Sequence, residues 1–158
     1  MNDKIVITRL DEVEGHKKVG TDQFEYTKYQ VTRRKDFSQC YVAFYEVPPG
    51  KSAYPKHFHN YNSECFYIIS GEGMLETVDG IVSVKAGDIM VFPCGEAGTH
   101  KLTNTSDSEP LVYLDFDTTN SPDIIEYPDS GKVGMIEFGK REAFFRGDSN
   151  VDYYDGEK

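Results

Sequence analysis

Residues 64–92, ECFYIISGEGMLETVDGIVSVKAGDIMVF, decide the fold. Glu64–Ser70 is a run of β-branched and aromatic residues that Gly71-Glu72-Gly73 ends. Met74–Val78 and Ile81–Val84 flank Asp79-Gly80, and two residues of this type between apolar runs signal a tight β-hairpin whose central positions take positive φ. Ala86-Gly87-Asp88 makes a second turn, and Ile89-Met90-Val91-Phe92 is a short strand stopped by Pro93. No segment here has the length or the 3.6-residue period of an amphipathic helix.

Outward from this stretch the pattern repeats. Phe24–Arg33 and Cys40–Val47 are strand runs, the second ended by Pro48-Pro49-Gly50. His100–Asn104 and Leu111–Phe116 are two more, separated by Thr105-Ser106-Asp107-Ser108-Glu109-Pro110. Short strands punctuated by Gly, Pro and Asp about every eight to twelve residues predict an all-β sandwich or barrel. The regular part covers residues 23–120. Residues 1–22 form an N-terminal arm and 121–158 a C-terminal arm, both irregular; Phe144, Phe145, Tyr153 and Tyr154 favour packing of the second on the barrel or on a partner subunit.

The chain has 158 residues, 38% of them hydrophobic, which suits one domain with an ordinary core. A formal net charge of -10 argues against nucleic acid as a partner. The longest basic cluster, Arg33-Arg34-Lys35, reads as a solvated strand end or turn. No run approaches the roughly 20 apolar residues that span a bilayer, and the N-terminus lacks a secretory pattern, so no membrane partner is expected. Cys40, Cys65 and Cys94 are an odd count at unrelated spacings, which argues against a disulfide framework and for the cytoplasm. Exposed sheet edges and aromatic arms suggest a homodimer.

Of four histidines, three sit where one metal site needs them. His57 and His59 are one residue apart and share a face if the chain is extended. Glu64 begins the next strand run, and His100 begins a distant one that a barrel would bring alongside. Three imidazoles and a carboxylate suit Fe, Mn, Ni or Zn with positions left open. The absence of a thiolate argues against a closed structural zinc site, and calcium prefers more oxygen donors. His16 lies in a polar segment and reads as surface.

The glycine and proline framework around these residues carries a family likeness. Residues 50–64, GKSAYPKHFHNYNSE, with Gly71 after them, resemble the first motif of the cupin superfamily, with six residues rather than five between Gly50 and His57. Residues 87–100, GDIMVFPCGEAGTH, with Asn104 after them, are similar to the second, with two additional residues between Gly95 and His100. The resemblance spans about residues 40–116. It implies a cupin-type double-stranded β-helix, or jelly-roll, holding one divalent transition metal on His57, His59, Glu64 and His100. Asn104 would then end a strand or support the site. Cys94 reads as a small loop residue rather than a redox thiol. Phe66 and Ile68 share the face of Glu64 and would wall the pocket, whereas Phe58 and Cys65 alternate away.

Two functions follow from different classes. The resemblance implies a metal-dependent enzyme of dioxygenase, isomerase or lyase type acting on a small oxygenated molecule, with Glu64 able to double as acid or base. The alternative is a non-catalytic small-molecule or sugar-binding sensor. Fold does not choose between them.

Overall fold

A computed structural model describes residues 5–33 and 39–157. Thirteen strands make up the described chain: β1 (Gly15–Val19), β2 (Glu25–Gln30), β3 (Cys40–Val47), β4 (Phe58–His59), β5 (Glu64–Ser70), β6 (Glu72–Thr77), β7 (Gly80–Lys85), β8 (Ile89–Phe92), β9 (His100–Asn104), β10 (Leu111–Thr118), β11 (Asp123–Tyr127), β12 (Lys132–Glu137) and β13 (Arg141–Arg146). Two short 3-10 turns, Leu10–Glu12 and Glu96–Gly98, are the helical pieces among the described residues.

The strands form a six-stranded sheet in the order β1-β2-β3-β10-β5-β8, a three-stranded sheet β7-β6-β9 and a four-stranded sheet β13-β12-β11-β4. Every named ladder is antiparallel. The all-β expectation holds and the architecture is that of a jelly-roll, although no continuous ladder closes the sheets into one ring.

Alternation along β3, β5, β8 and β10 builds the interior. Tyr41, Ala43, Tyr45 and Val47 face inward from β3, Phe66 and Ile68 from β5, Met90 and Phe92 from β8, and Tyr113 from β10. They meet Leu75 of β6, Val84 of β7 and Leu102 of β9 in one core cluster. Each large side chain buried this way contributes roughly 1.5–3 kcal/mol before entropy is counted. Polar side chains stand among these inward positions as well: Glu64, His100, Asp115 and Asp117 are all buried, with Glu64 opposite Phe92 and Asp117 opposite Tyr41.

Four details differ from the sequence expectation. The β6–β7 hairpin exists, but Thr77 pairs with Gly80, so its loop is Val78-Asp79. Only Gly80 takes positive φ (129°) while Asp79 does not; the Thr77 hydroxyl accepts from Asp79 N–H at 3.2 Å and donates to Gly80 O at 3.0 Å, which holds the loop in this form. The flanks are more regular than their punctuation suggests. The N-terminal flank contributes β1, paired along its length with β2, and the C-terminal flank folds into the β11–β12–β13 meander. That meander joins the rest of the chain through Ile125↔His59 and Glu126↔Phe58. The expected strand at Phe24–Arg33 ends at Gln30, and Arg34 and Lys35 of the basic cluster lie outside the described residues. Tyr153 and Tyr154 stay 87% and 74% exposed on the single chain rather than packing on it.

Candidate metal centre

The local chain path explains how four distant residues meet. His57 and His100 form a reciprocal antiparallel bridge: His57 N–H donates to His100 O (3.1 Å) and His100 N–H to His57 O (2.9 Å). His59 follows on β4, and its carbonyl accepts from Gly95 N–H at 2.7 Å, tying it to the loop before His100. Glu64 opens β5, paired with Phe92 on one side and Asp117 on the other. The two additional residues between Gly95 and His100 are absorbed by the Glu96–Gly98 turn. Gly98 is obligatory there, because a Cβ would lie 1.9 Å from Pro93 O.

All four side chains are at least nine-tenths buried and converge. Glu64 Oε2 lies 3.3 Å from His100 Nε2 and 3.8 Å from His57 Nε2, and Glu64 Oε1 lies 3.5 Å from His59 Nε2. The donor atoms of His57, His59 and Glu64 all fall within 4.8 Å of one another. Each ring is held by its other nitrogen: His57 Nδ1 by Pro55 O (2.8 Å), His100 Nδ1 by Gly98 O (2.8 Å) and His59 Nδ1 by Asp123 Oδ2 (2.5 Å). Carbonyl and carboxylate oxygens only accept, so each Nδ1 carries a proton and, in the neutral ring, each Nε2 lone pair points at Glu64.

The residues fit a divalent ion. Donors about 2.0–2.2 Å from one ion in tetrahedral or octahedral array stand roughly 3–3.6 Å apart, close to the spacing found. Glu64 Oε2 and His100 Nε2 are buried with no hydrogen-bond partner, a cost that a shared cation removes. Phe92 stacks on His100 at 3.7 Å between centroids, and Phe66 meets the same ring edge-on, fixing it from the core side.

Charge in the pocket is uneven. Burial holds His57 down to about 4, and it also lowers His100. Burial pushes His59 the same way, but its hydrogen bonds to Asp123 and Glu64 outweigh that and raise it to about 10. Burial would raise Glu64, yet the surrounding histidines, His100 foremost, hold it well below the usual carboxylate range.

Beside the four lies a cavity of about 880 Å³, walled by Tyr26, Tyr45, Tyr54 and Tyr127 as well as by His57, His59 and Glu64. Asp115 and Asp117 line it too, with oxygens within 4.8 Å of Glu64. Burial, then the charge of Asp117, pushes the Asp115 carboxyl well up.

Each residue singled out in the sequence now has a place. His57, His59, Glu64 and His100 come together. Phe66 and Ile68 are core beneath the site, and Cys65 turns outward as expected. Phe58 is buried and pairs in register with Glu126 of β11. Cys94 and His16 are exposed. Asn104 is scaffold: it donates to Val47 O and Glu109 O and accepts from Ser106 N–H, all at 2.9 Å. Sequence reasoning missed Asp115, Asp117, Asp123 and Tyr127. The first two were legible as charged residues at inward positions of a strand; the last two bound Asp123-Ile124-Ile125-Glu126-Tyr127, a run with no period-two pattern to mark it.

The comparisons agree with this fold. Residues 43–117 match the cupin domain family. The chain contains a cupin domain. A Thermotoga maritima relative named oxalate-binding protein is 33% identical over 69 residues, 44% of this chain and 56% of that protein, so the match spans about half the length of the curated relative. Among solved structures, a sugar phosphate isomerase of a cupin superfamily from Silicibacter pomeroyi superposes with a TM-score of 0.78 at 22% identity, covering 93% of this chain and 96% of that one. A predicted oxalate decarboxylase from Thermotoga maritima gives 0.62 at 23% identity, over 72% and 99%. At these identities the two structures speak for the fold alone.

Proposed function

We propose that this cupin is a divalent-metal-dependent enzyme acting on a small oxygenated molecule, with His57, His59, Glu64 and His100 holding one Fe, Mn, Ni or Zn ion. The reading is carried by one observation: three Nε2 atoms and a carboxylate, each ring tethered through Nδ1, converge beside a cavity large enough for a small substrate. Such an ion with open positions supplies a Lewis acid for a substrate oxygen, or lowers the pKa of bound water. The chain's own residues do the rest. Glu64 is placed to give or take a proton as well as to ligate. Asp115 and Asp117 lie beside it with oxygens within 4.8 Å of one another, and burial and the charge of Asp117 raise Asp115, which suits a pair that shares a proton. Tyr45 and Tyr54 present hydroxyls that already bond each other at 3.0 Å, and these would orient substrate hydroxyls.

Of the isomerase, lyase and dioxygenase types, isomerisation of a small anionic sugar is the reading we carry to the bench. Lys18, Lys132 and Arg141 line the cavity and would receive a phosphate or carboxylate, and the Silicibacter fold relative bears a sugar phosphate isomerase name. The test is aldose–ketose interconversion of sugar phosphates followed by NMR after loading with each metal, with oxygen uptake run in parallel. Turnover lost in His57→Ala, His100→Ala together with the metal supports the reading; metal retained by that double variant sinks the ligand assignment. The Thermotoga relative's name favours a second reading, a non-catalytic binding module for a small acid or sugar. That module would gain thermal stability with ligand and turn nothing over.

A homodimer belongs to the same proposal. Cys65, Tyr67 and Ile69 of β5, Ile89 and Val91 of β8 and Leu114 and Phe116 of β10 form an outward, charge-free sheet face. On a chain of net charge -10, such a face is where two copies approach with least repulsion. Three free cysteines are consistent with a reducing compartment such as the cytoplasm.

A further inference from the structure

Asp123 lies on β11, beyond the residues that match the cupin domain, and is 1% exposed. Its Oδ2 accepts from His59 Nδ1 (2.5 Å) and from Asn62 Nδ2 (2.7 Å), and its Oδ1 accepts from Tyr61 N–H (3.1 Å). Three donors from residues 59–62 therefore converge on one carboxylate delivered by the C-terminal meander. The contrast with the other two rings is informative. His57 and His100 donate to main-chain carbonyls two residues away in their own loops. Of the three, His59 alone is anchored by a side chain, and that side chain comes from 64 residues downstream.

We propose that Asp123 is a positioning residue of the metal centre: it fixes His59 as the Nδ1–H tautomer with Nε2 turned to the ion, which makes the C-terminal meander a working part of the site. The inference rests on the metal-centre reading above. A carboxylate behind a ligating imidazole sets the ring's tautomer and orientation and raises its basicity as a ligand, and its removal lowers metal affinity about 10–100-fold. β11 supports the same geometry in two further ways. It pairs Ile125 with His59, and its Tyr127 stacks on the His57 ring at 5.9 Å with 23° between planes. A purely structural role is the competing account, since Asp123 also ties down the loop at Tyr61 and Asn62.

The test uses the full chain loaded with Zn²⁺ or Co²⁺. Affinity is measured on folded protein by competition with a chromophoric chelator, for wild type, Asp123→Ala, Asp123→Asn and His100→Ala. We expect Asp123→Ala to bind about 10–100-fold more weakly. Asp123→Asn should fall between, because its Oδ1 still accepts from the ring but carries no charge. The visible Co²⁺ spectrum should change in both. Affinity within about threefold of wild type and an unchanged Co²⁺ spectrum in Asp123→Ala, or in Asp123→Asn where the alanine variant does not fold, would overturn the inference. ¹⁵N-histidine NMR of the Zn²⁺ form needs no variant: a proton on His59 Nδ1 is expected, and one on Nε2 overturns it. If His100→Ala binds as tightly as wild type, the metal-centre reading itself fails. If His100→Ala loses the metal while both Asp123 variants keep it, only the role of Asp123 fails.

Discussion

His57 is neutral in the folded pocket because burial holds it down to about 4, whereas in the unfolded chain it titrates near its ordinary 6.5. Between those values the unfolded chain binds the extra proton, so this residue costs stability as pH falls from about 6.5 to 4, up to about 3 kcal/mol. Other groups titrate in the same range, so the contribution is isolated by difference. Chelated wild type and H57Q, compared by urea unfolding from pH 7 to 4.5, should differ by a slope of that sign. His59 behaves oppositely: its bonds to Asp123 and Glu64 hold the proton to about 10, so its contribution in the metal-free chain is complete below about 6.5 and is lost as pH rises toward 10. Gly98 makes a separate prediction. Gly98→Ala drives a Cβ into Pro93 O and displaces the carbonyl that holds His100 Nδ1. It should cost about 2 kcal/mol or more by thermal unfolding and weaken metal binding as well.

At the scale of elements, the strands that build the site and the strands that brace it are separable. Asn104 closes β9, is fully buried, and links the end of β3 to the loop before β10 through three hydrogen bonds, none of them to a ligand. Asn104→Ala should therefore destabilise by about 2–4 kcal/mol while leaving metal affinity of the folded protein nearly unchanged, as denaturant titration and chelator competition would report. The same division explains what the sequence revealed. β3, β5, β8 and β9 could be read to the residue, because period-two burial and Gly or Pro punctuation bound each of them. Two of the four candidate metal-site residues, Glu64 and His100, open such strands, and His57 and His59 are reached through the H-x-H spacing. β11 could not be read this way. Ser121-Pro122 before it and Pro128-Asp129-Ser130-Gly131 after it look like loop, and its partner β4 is only two residues long. Pairing that depends on so short a strand leaves no periodic trace, and Asp123 went unseen with it. Tight turns are legible in kind but not in register: Asp79-Gly80 announced the hairpin, yet side-chain bonds from Thr77 moved the loop back by one residue.

Across the whole molecule, one sheet has two unlike faces. Its inner face carries the core and the polar site; its outer face carries Tyr67, Ile89, Val91 and Phe116, which are 44%, 66%, 69% and 42% exposed. If two copies bury this face, Val91→Glu should convert dimer to monomer in light scattering without disturbing metal content, since Val91 points away from Glu64. The reciprocal bridge between His57 and His100 has a bearing on chain statistics as well. An ion held by both residues would clasp a loop of roughly forty residues, and a cross-link of that span removes enough freedom from the unfolded coil to contribute about 4 kcal/mol on the chain-entropy scale used for disulfides. A fold whose three cysteines are unpaired would obtain from its ion the restraint that secreted domains obtain from cystine.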